Sequence, residues 1–121
     1  CVLHGDRELL WRAVENLLRN ALRHTDPDRG VRLTLEPARR KSTLLITVRD
    51  FGGGVPEAEL EKIFEPFYRV QESRDRGSGG HGLGLSIAAN AVRRHGGTIQ
   101  ATNAPEGGLV VQISLPLTGT A

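Results

Sequence analysis

The 121-residue sequence predicts an α/β (α+β) fold, a two-layer α/β sandwich in which a mixed sheet of about five strands carries its helices on one face. Two hydrophobic periods alternate along the chain to give this. Apolar residues recur at three- and four-residue spacing near residues 10–22 and 85–92, the period of a helix with one buried stripe. They alternate or run together over 31–35, 44–48, 98–102 and 109–115, as strands do, with glycine- and proline-bearing segments between. Length and an apolar content of 38% suit a single domain with one core, spanning residues 1–121.

The elements follow in order. Cys1-Val2-Leu3 reads as an edge strand, and the chain opens without an initiator Met, as a piece of a larger protein would. Asp6 is an N-cap and Glu8 lies in the first turn, where the helix dipole favours a carboxylate. Leu10, Val14, Leu17 and Ala21 form one stripe, widened by Leu18 and Leu22, and the helix is expected to end near His24, ahead of Thr25-Asp26-Pro27. Val31, Leu33 and Leu35 describe a half-buried strand. Leu44 to Val48 describes a deeper one, antiparallel to it across the basic turn Arg39-Arg40-Lys41. A short helical stretch runs from Pro56 to Phe64, and residues 71–80 carry no hydrophobic pattern and read as a mobile loop. A second helix over 82–95, with Leu85, Ala88, Ala89 and Val92 inward, is stopped by Gly96-Gly97. Two closing strands, 98–102 and 109–115, flank the turn Pro105-Glu-Gly-Gly108.

Composition excludes several classes. The net charge is +2, and apart from residues 39–41 the basic residues are scattered, unlike the concentrated face of a nucleic-acid binder. No apolar run approaches the roughly 20 residues of a membrane helix, and the single cysteine permits no internal disulfide. His81 and His95 lack the spacing and cysteine partners of a transition-metal site. His95 is read as a helix C-terminal residue favoured by the dipole.

Three polar motifs carry the chemistry. Asn16 and Asn20 share a helix face, with Arg23 and His24 one turn on; an Asn carbonyl suits magnesium, and a solvated helix face is the alternative. Asp50 ends a strand and is followed by Gly52 and Gly54. Its carboxylate suits an exocyclic amine such as that of adenine, and an Asx-capped turn is the alternative. Gly77-Ser-Gly79-Gly80-His81-Gly82-Leu83-Gly84-Leu85 leads into a helix, where free amides and the dipole hold phosphate; a flexible hinge is the alternative. No Lys-Ser/Thr follows, so this is not a Walker loop, and no strand immediately precedes it, as a dinucleotide fingerprint requires.

In this order and spacing the motifs resemble the catalytic ATP-binding domain of sensor histidine kinases, a Bergerat-fold superfamily shared with gyrase, the Hsp90 chaperones and MutL. Asn16 to Thr25 resembles the N box. Asp50-x-Gly52-x-Gly54 resembles the first glycine box, Ile63-Phe64-Glu-Pro-Phe67-Tyr68-Arg69 the F box, and Gly80-His81-Gly82-Leu83-Gly84-Leu85 the second glycine box. The resemblance implies ATP and magnesium as cofactors. Asn20 would be the metal ligand; Asn16, Arg23 and His24 would line the phosphates; and Asp50 would read adenine. The lid would run from about Val55 to His81, rooted by the aromatic cluster, with Arg69 stabilising the moving phosphoryl group. Asn16 stands where ATP-hydrolysing relatives place a Glu, and an amide is no general base. Glu15 lies about 100° away around the helix. None of His4, His24, His81 or His95 has the context of a phospho-acceptor. The resemblance therefore implies a histidine acceptor in a separate dimerisation domain, a response regulator downstream, and a homodimeric inner-membrane parent whose catalytic domain is cytoplasmic. Phe-Tyr-Arg, Arg-Asp-Arg-x-Ser-Gly-Gly and Gly-Gly-Leu look most like Cpx-type envelope-stress sensors. His81 and Leu109 depart from the commoner Thr at each place. An anti-sigma-factor-like serine kinase, or a regulatory ATP-binding module of the same fold, is the alternative.

Overall fold

The computed structural model describes residues 5–38, 42–68 and 84–116. Helix α1 (Arg7–His24) leads into the hairpin β1 (Arg32–Ala38) and β2 (Thr43–Arg49). Two short 3-10 turns follow, at Glu57–Glu59 and Lys62–Phe64, then α2 (Gly84–Arg94), β3 (Thr98–Asn103) and β4 (Leu109–Pro116). The four strands lie in the order β1-β2-β4-β3, and every pairing is antiparallel. The two-layer α/β class is as expected. The described sheet differs from the mixed, roughly five-stranded one because each of its neighbours is joined in antiparallel sense. The edge strand read at Cys1-Val2-Leu3 lies outside the described residues.

Register explains where the core sits. Directly opposed residues share a face, so Leu33, Val48, Val111 and Ala101 form one cross-sheet row and Leu35, Ile46, Ile113 and Ile99 the next. The central members of both rows are buried under the helices. The β1 members are not: Leu33 is 43% and Leu35 61% exposed, because the helical layer stops short of this edge. The half-buried strand expected at Val31 to Leu35 is thus apolar on the correct face but largely uncovered. Both helices contribute small residues to the core, Ala13 and Ala21 from α1 and Ala88, Ala89 and Ala91 from α2, with Leu17 and Val92 filling the space between layers. Ala91 joins the expected inner face of α2, while Leu85 packs at its margin.

Caps behave as the sequence suggests. Asp6 Oδ1 accepts from the amides of Glu8 (3.0 Å) and Leu9 (3.2 Å). At the end of α2, Gly96 adopts φ +76° and the Gly97 amide returns to the Val92 carbonyl. His95 differs from expectation. Its Nδ1 lies 2.8 Å from the Ala91 carbonyl and its Nε2 accepts from the Asp6 amide at 2.8 Å. With Nε2 accepting, Nδ1 is the ring nitrogen placed to donate to the Ala91 carbonyl. His95 therefore serves as a hydrogen-bonded tie between the end of α2 and the start of α1.

Candidate functional site

The helix periodicity that buries Ala13, Leu17 and Ala21 places Asn16 and Asn20 on an adjoining, half-buried strip. Asn16 Nδ2 donates to the Arg12 carbonyl at 2.8 Å. Its oxygen faces the start of α2, where a Cβ on Gly84 would stand 3.5 Å away. Gly84, the first described residue of α2, thus abuts the Asn-bearing face of α1. The Asn20 amide has no hydrogen-bond partner among the described residues, which leaves its carbonyl oxygen as a hard donor at the rim of the core. That chemistry fits magnesium. Arg23 and His24 continue the strip and are exposed.

Asp50 is the buried charged residue among those described, 3% exposed, where β2 runs out. Its amide donates to the Leu109 carbonyl at 3.0 Å. Its Oδ1 accepts from the amides of Gly52 (3.0 Å) and Leu109 (3.1 Å). Both amides bond the same oxygen and fix the carboxylate plane, leaving Oδ2 to meet a ligand.

The glycines around Asp50 are required by the protein's own backbone. A Cβ on Gly52 would collide with the His24 carbonyl, and one on Gly108, at φ +97°, with the Asp50 carbonyl. Gly54, at φ +77°, would bring a Cβ to 2.7 Å from Asn103 Oδ1. The close approach that Gly52 and Gly54 allow is therefore to the end of α1 and to β3, where the sequence suggested a ligand.

Sequence reasoning missed three residues here. Asn103 accepts the Val55 amide at 2.9 Å and donates to the Val55 carbonyl at 2.6 Å, clamping the backbone where the glycine segment ends. Its signal was legible: in β3 the inward positions are Ile99, Ala101 and Asn103, and an inward polar group demands partners. Thr25 caps α1 through its amide, bonded to the Ala21 carbonyl at 2.9 Å. Its hydroxyl donates to the Gly30 carbonyl (2.7 Å) and accepts from the Phe51 amide (2.9 Å). Arg49 lies 4.5 Å from the Phe51 ring centre, which Arg29 (4.5 Å) and Arg32 (5.7 Å) also face. Arg32 and Arg49 are directly opposed in the sheet, and like charges there repel. The shared ring, and a bond from Arg49 to Glu106 at 3.3 Å, offset that repulsion.

In the F-box segment, Ile63 and Phe64 are buried, whereas Phe67 is 72% exposed at φ +66°. Tyr68 donates to Glu59 Oε1 at 2.5 Å. That bond, with burial and the Glu59 and Glu65 charges, pushes the phenol up to about 12. The aromatic cluster thus divides: Phe64 roots the segment in the core, Tyr68 ties it to the first 3-10 turn, and Phe67 stands free. Val55 and Leu85 are half-buried against the core. Arg69, Gly77, Gly79, Gly80, His81, Gly82 and Leu83 lie outside the described residues.

Residues 5–119 match the family model described as histidine kinase-, DNA gyrase B-, and HSP90-like ATPase. The chain is 44% identical over 113 residues to the signal transduction histidine-protein kinase BaeS of Escherichia coli (strain K12), covering 93% of this chain and 24% of that protein. It is likewise 44% identical over 115 residues to the sensor histidine kinase CpxA of the same strain, covering 95% of this chain and 24% of that protein. Among solved structures, a mycobacterial sensor histidine kinase, MprB, superposes with a TM-score of 0.86 at 32% identity, over 95% of this chain and 76% of that one. The chain thus spans about a quarter of the length of the relatives it matches in sequence, and BaeS and CpxA resemble it to the same degree.

Proposed function

Because this chain belongs to the family of histidine kinase-, DNA gyrase B- and HSP90-like ATPases, and corresponds within it to the catalytic ATP-binding domain of sensor histidine kinases, we propose that it holds magnesium–ATP for transfer of the γ-phosphoryl group to a histidine on a separate dimerisation domain of its parent protein. The observation that supports this reading is the packing of the end of α1 on the segment that follows Asp50, with the His24 carbonyl against Gly52 and the Thr25 hydroxyl accepting from the Phe51 amide. Asn16 and Asn20 on α1 would form one end of the site, and the buried Asp50 carboxylate at the tip of β2 the other.

Asp50 Oδ2 accepts a hydrogen bond from the adenine amino group, with Oδ1 held by two amides. Asn20 offers its carbonyl oxygen to magnesium, which when bound neutralises phosphate charge. Asn16, Arg23 and His24 line the phosphate side, with Gly84, Leu85 and the preceding residues 77–83 supplying backbone amides. Ile63, Phe67 and Tyr68 support the lid over about 55–81, and Arg69 stabilises charge on the transferring group. Such catalysis rests on positioning and electrostatics. Asn16 is bonded as a donor to its own helix and supplies no base, so water is a poor nucleophile here. The named relatives are sensor histidine kinases, which favours this reading over a serine kinase or a purely regulatory module.

A response regulator is the onward acceptor, and the parent is a homodimer. No described helix is long and apolar enough to cross a membrane. We place the domain on the cytoplasmic side of the inner membrane, reached through the rest of the parent, and assign the parent an envelope-stress role. Calorimetry with magnesium–ATP tests the pocket. The intact chain binds, Asn20→Asp and Asp50→Asn bind far more weakly, and no binding by the intact chain overturns the reading. Mixing the chain with a dimerisation domain and γ-labelled ATP should yield an acid-labile phosphoprotein; an acid-stable product points to the serine alternative.

A further inference from the structure

We propose that Thr25 is a positioning residue that couples the metal-holding helix to the adenine-reading strand, so that magnesium at one end of the pocket strengthens base recognition at the other. The inference rests on the nucleotide reading above and adds a route between its two ends.

Each link is short. Asn20 is covalently followed by Ala21, which is buried, and the Ala21 carbonyl accepts from the Thr25 amide at 2.9 Å. Thr25 then leaves the helix in extended backbone, φ −78° and ψ 159°. Its hydroxyl accepts from the Phe51 amide at 2.9 Å, and Phe51 is covalently preceded by Asp50. The hydroxyl hydrogen is committed as well, donating to the Gly30 carbonyl at 2.7 Å. A threonine hydroxyl has one hydrogen to give, so this geometry is fully specified.

The surroundings leave the link little slack. The loop from Asp26 to Gly30 is tied internally, with the amides of Arg29 and Gly30 returning to the Asp26 carbonyl and that of Asp28 to the Asp26 side chain. On the far side, Gly52 packs so tightly on the His24 carbonyl that any Cβ would collide with it. The end of α1 and the Asp50–Gly52 segment therefore move together, and a shift of Asn20 toward a metal is passed to Asp50.

Coupling between sites is a ratio of affinities, which a change in stability alone leaves untouched. The test is the affinity of the chain for ATP with magnesium divided by its affinity with EDTA. Thr25→Val, close in shape but without the hydroxyl, should lower that ratio by roughly fivefold or more, and Thr25→Ser should restore it to within about twofold. An unchanged ratio in a Thr25→Val protein that has merely lost stability overturns the proposal, as does a Ser variant no better than Val. If Thr25→Val does not fold, hydrogen exchange on the unmodified chain decides. The Phe51 amide should be better protected by ATP with magnesium than by ATP with EDTA, both saturating, and equal protection overturns the coupling. Failure of the intact chain to bind ATP would count against the nucleotide reading instead.

Discussion

Asp50 illustrates how much one side chain is asked to do. A carboxylate 3% exposed would be costly without partners, and two backbone amides supply them at a single oxygen. Asp50→Asn keeps an acceptor for those amides and turns the other oxygen into a donor, which opposes the adenine amine. The expected outcome is a folded protein whose ATP affinity falls about tenfold or more, since a hydrogen bond to a charged group is worth about 1.5–3 kcal/mol. Calorimetry alongside a thermal melt checks both halves. Tyr68 is the chain's single tyrosine, so its ionisation is readable by ultraviolet absorbance. Its phenol, donating to Glu59, should titrate at about 12, above the ordinary 10.0. A folded-state value raised above the unfolded one means that the contribution is complete below about 10 and is lost as pH rises through about 12. In Glu59→Gln the midpoint should fall back toward 10.0; a midpoint unmoved by that change would show that the bond does not set it.

Between elements, close approach is bought with small residues. Ala88, Ala89 and Ala91 of α2 are buried in the core with Ala13 and Ala21 of α1, so the helices pack over a seam of small side chains. Ala88→Leu should destabilise by about 1–3 kcal/mol through overpacking, seen as a lower urea midpoint with an unchanged slope. At the end of the edge strand β3, Asn103 stands in for a strand neighbour by meeting both backbone groups of Val55. Asn103→Ala leaves a donor and an acceptor unpaired and should cost about 1–3 kcal/mol in the same assay. It also frees the Val55 backbone, where the proposed lid begins, so the loss of ATP affinity should exceed that of a core variant of equal stability, such as Leu17→Ala.

For the whole molecule, the two proposed donor sets belong to different layers, Asn20 to the helices and Asp50 to the sheet, so on the proposed reading a bound nucleotide would bridge the sandwich. A ligand that binds only the folded state stabilises by mass action, about 2.7 kcal/mol at one hundred times its dissociation constant. Magnesium–ATP at that excess should raise the melting midpoint on the order of 10 °C. Asn20→Ala should show a much smaller magnesium-dependent part of that rise while keeping a response to ATP alone. Equal shifts in the two proteins would remove Asn20 as the metal ligand.

The sequence by itself determined the fold class, the ends of α1, the hairpin, the stop of α2 at Gly96-Gly97 and the positions of Asn16, Asn20 and Asp50. These follow from local spacing, capping and turn chemistry, which a short window of residues contains. It did not show that β1 would stay uncovered, since the reach of the helical layer depends on how the layers stack. Nor did it show that Gly52 and Gly54 make room for His24 and Asn103, that Phe51 gathers three arginines, or that His95 accepts from the Asp6 amide. Apart from Arg49, which lies close to Phe51 in sequence, those contacts join residues distant along the chain, such as Arg29 to Phe51 and Asp6 to His95. Only tertiary structure decides such contacts, because hydrogen bonds and close packing act through space and leave no period along the chain.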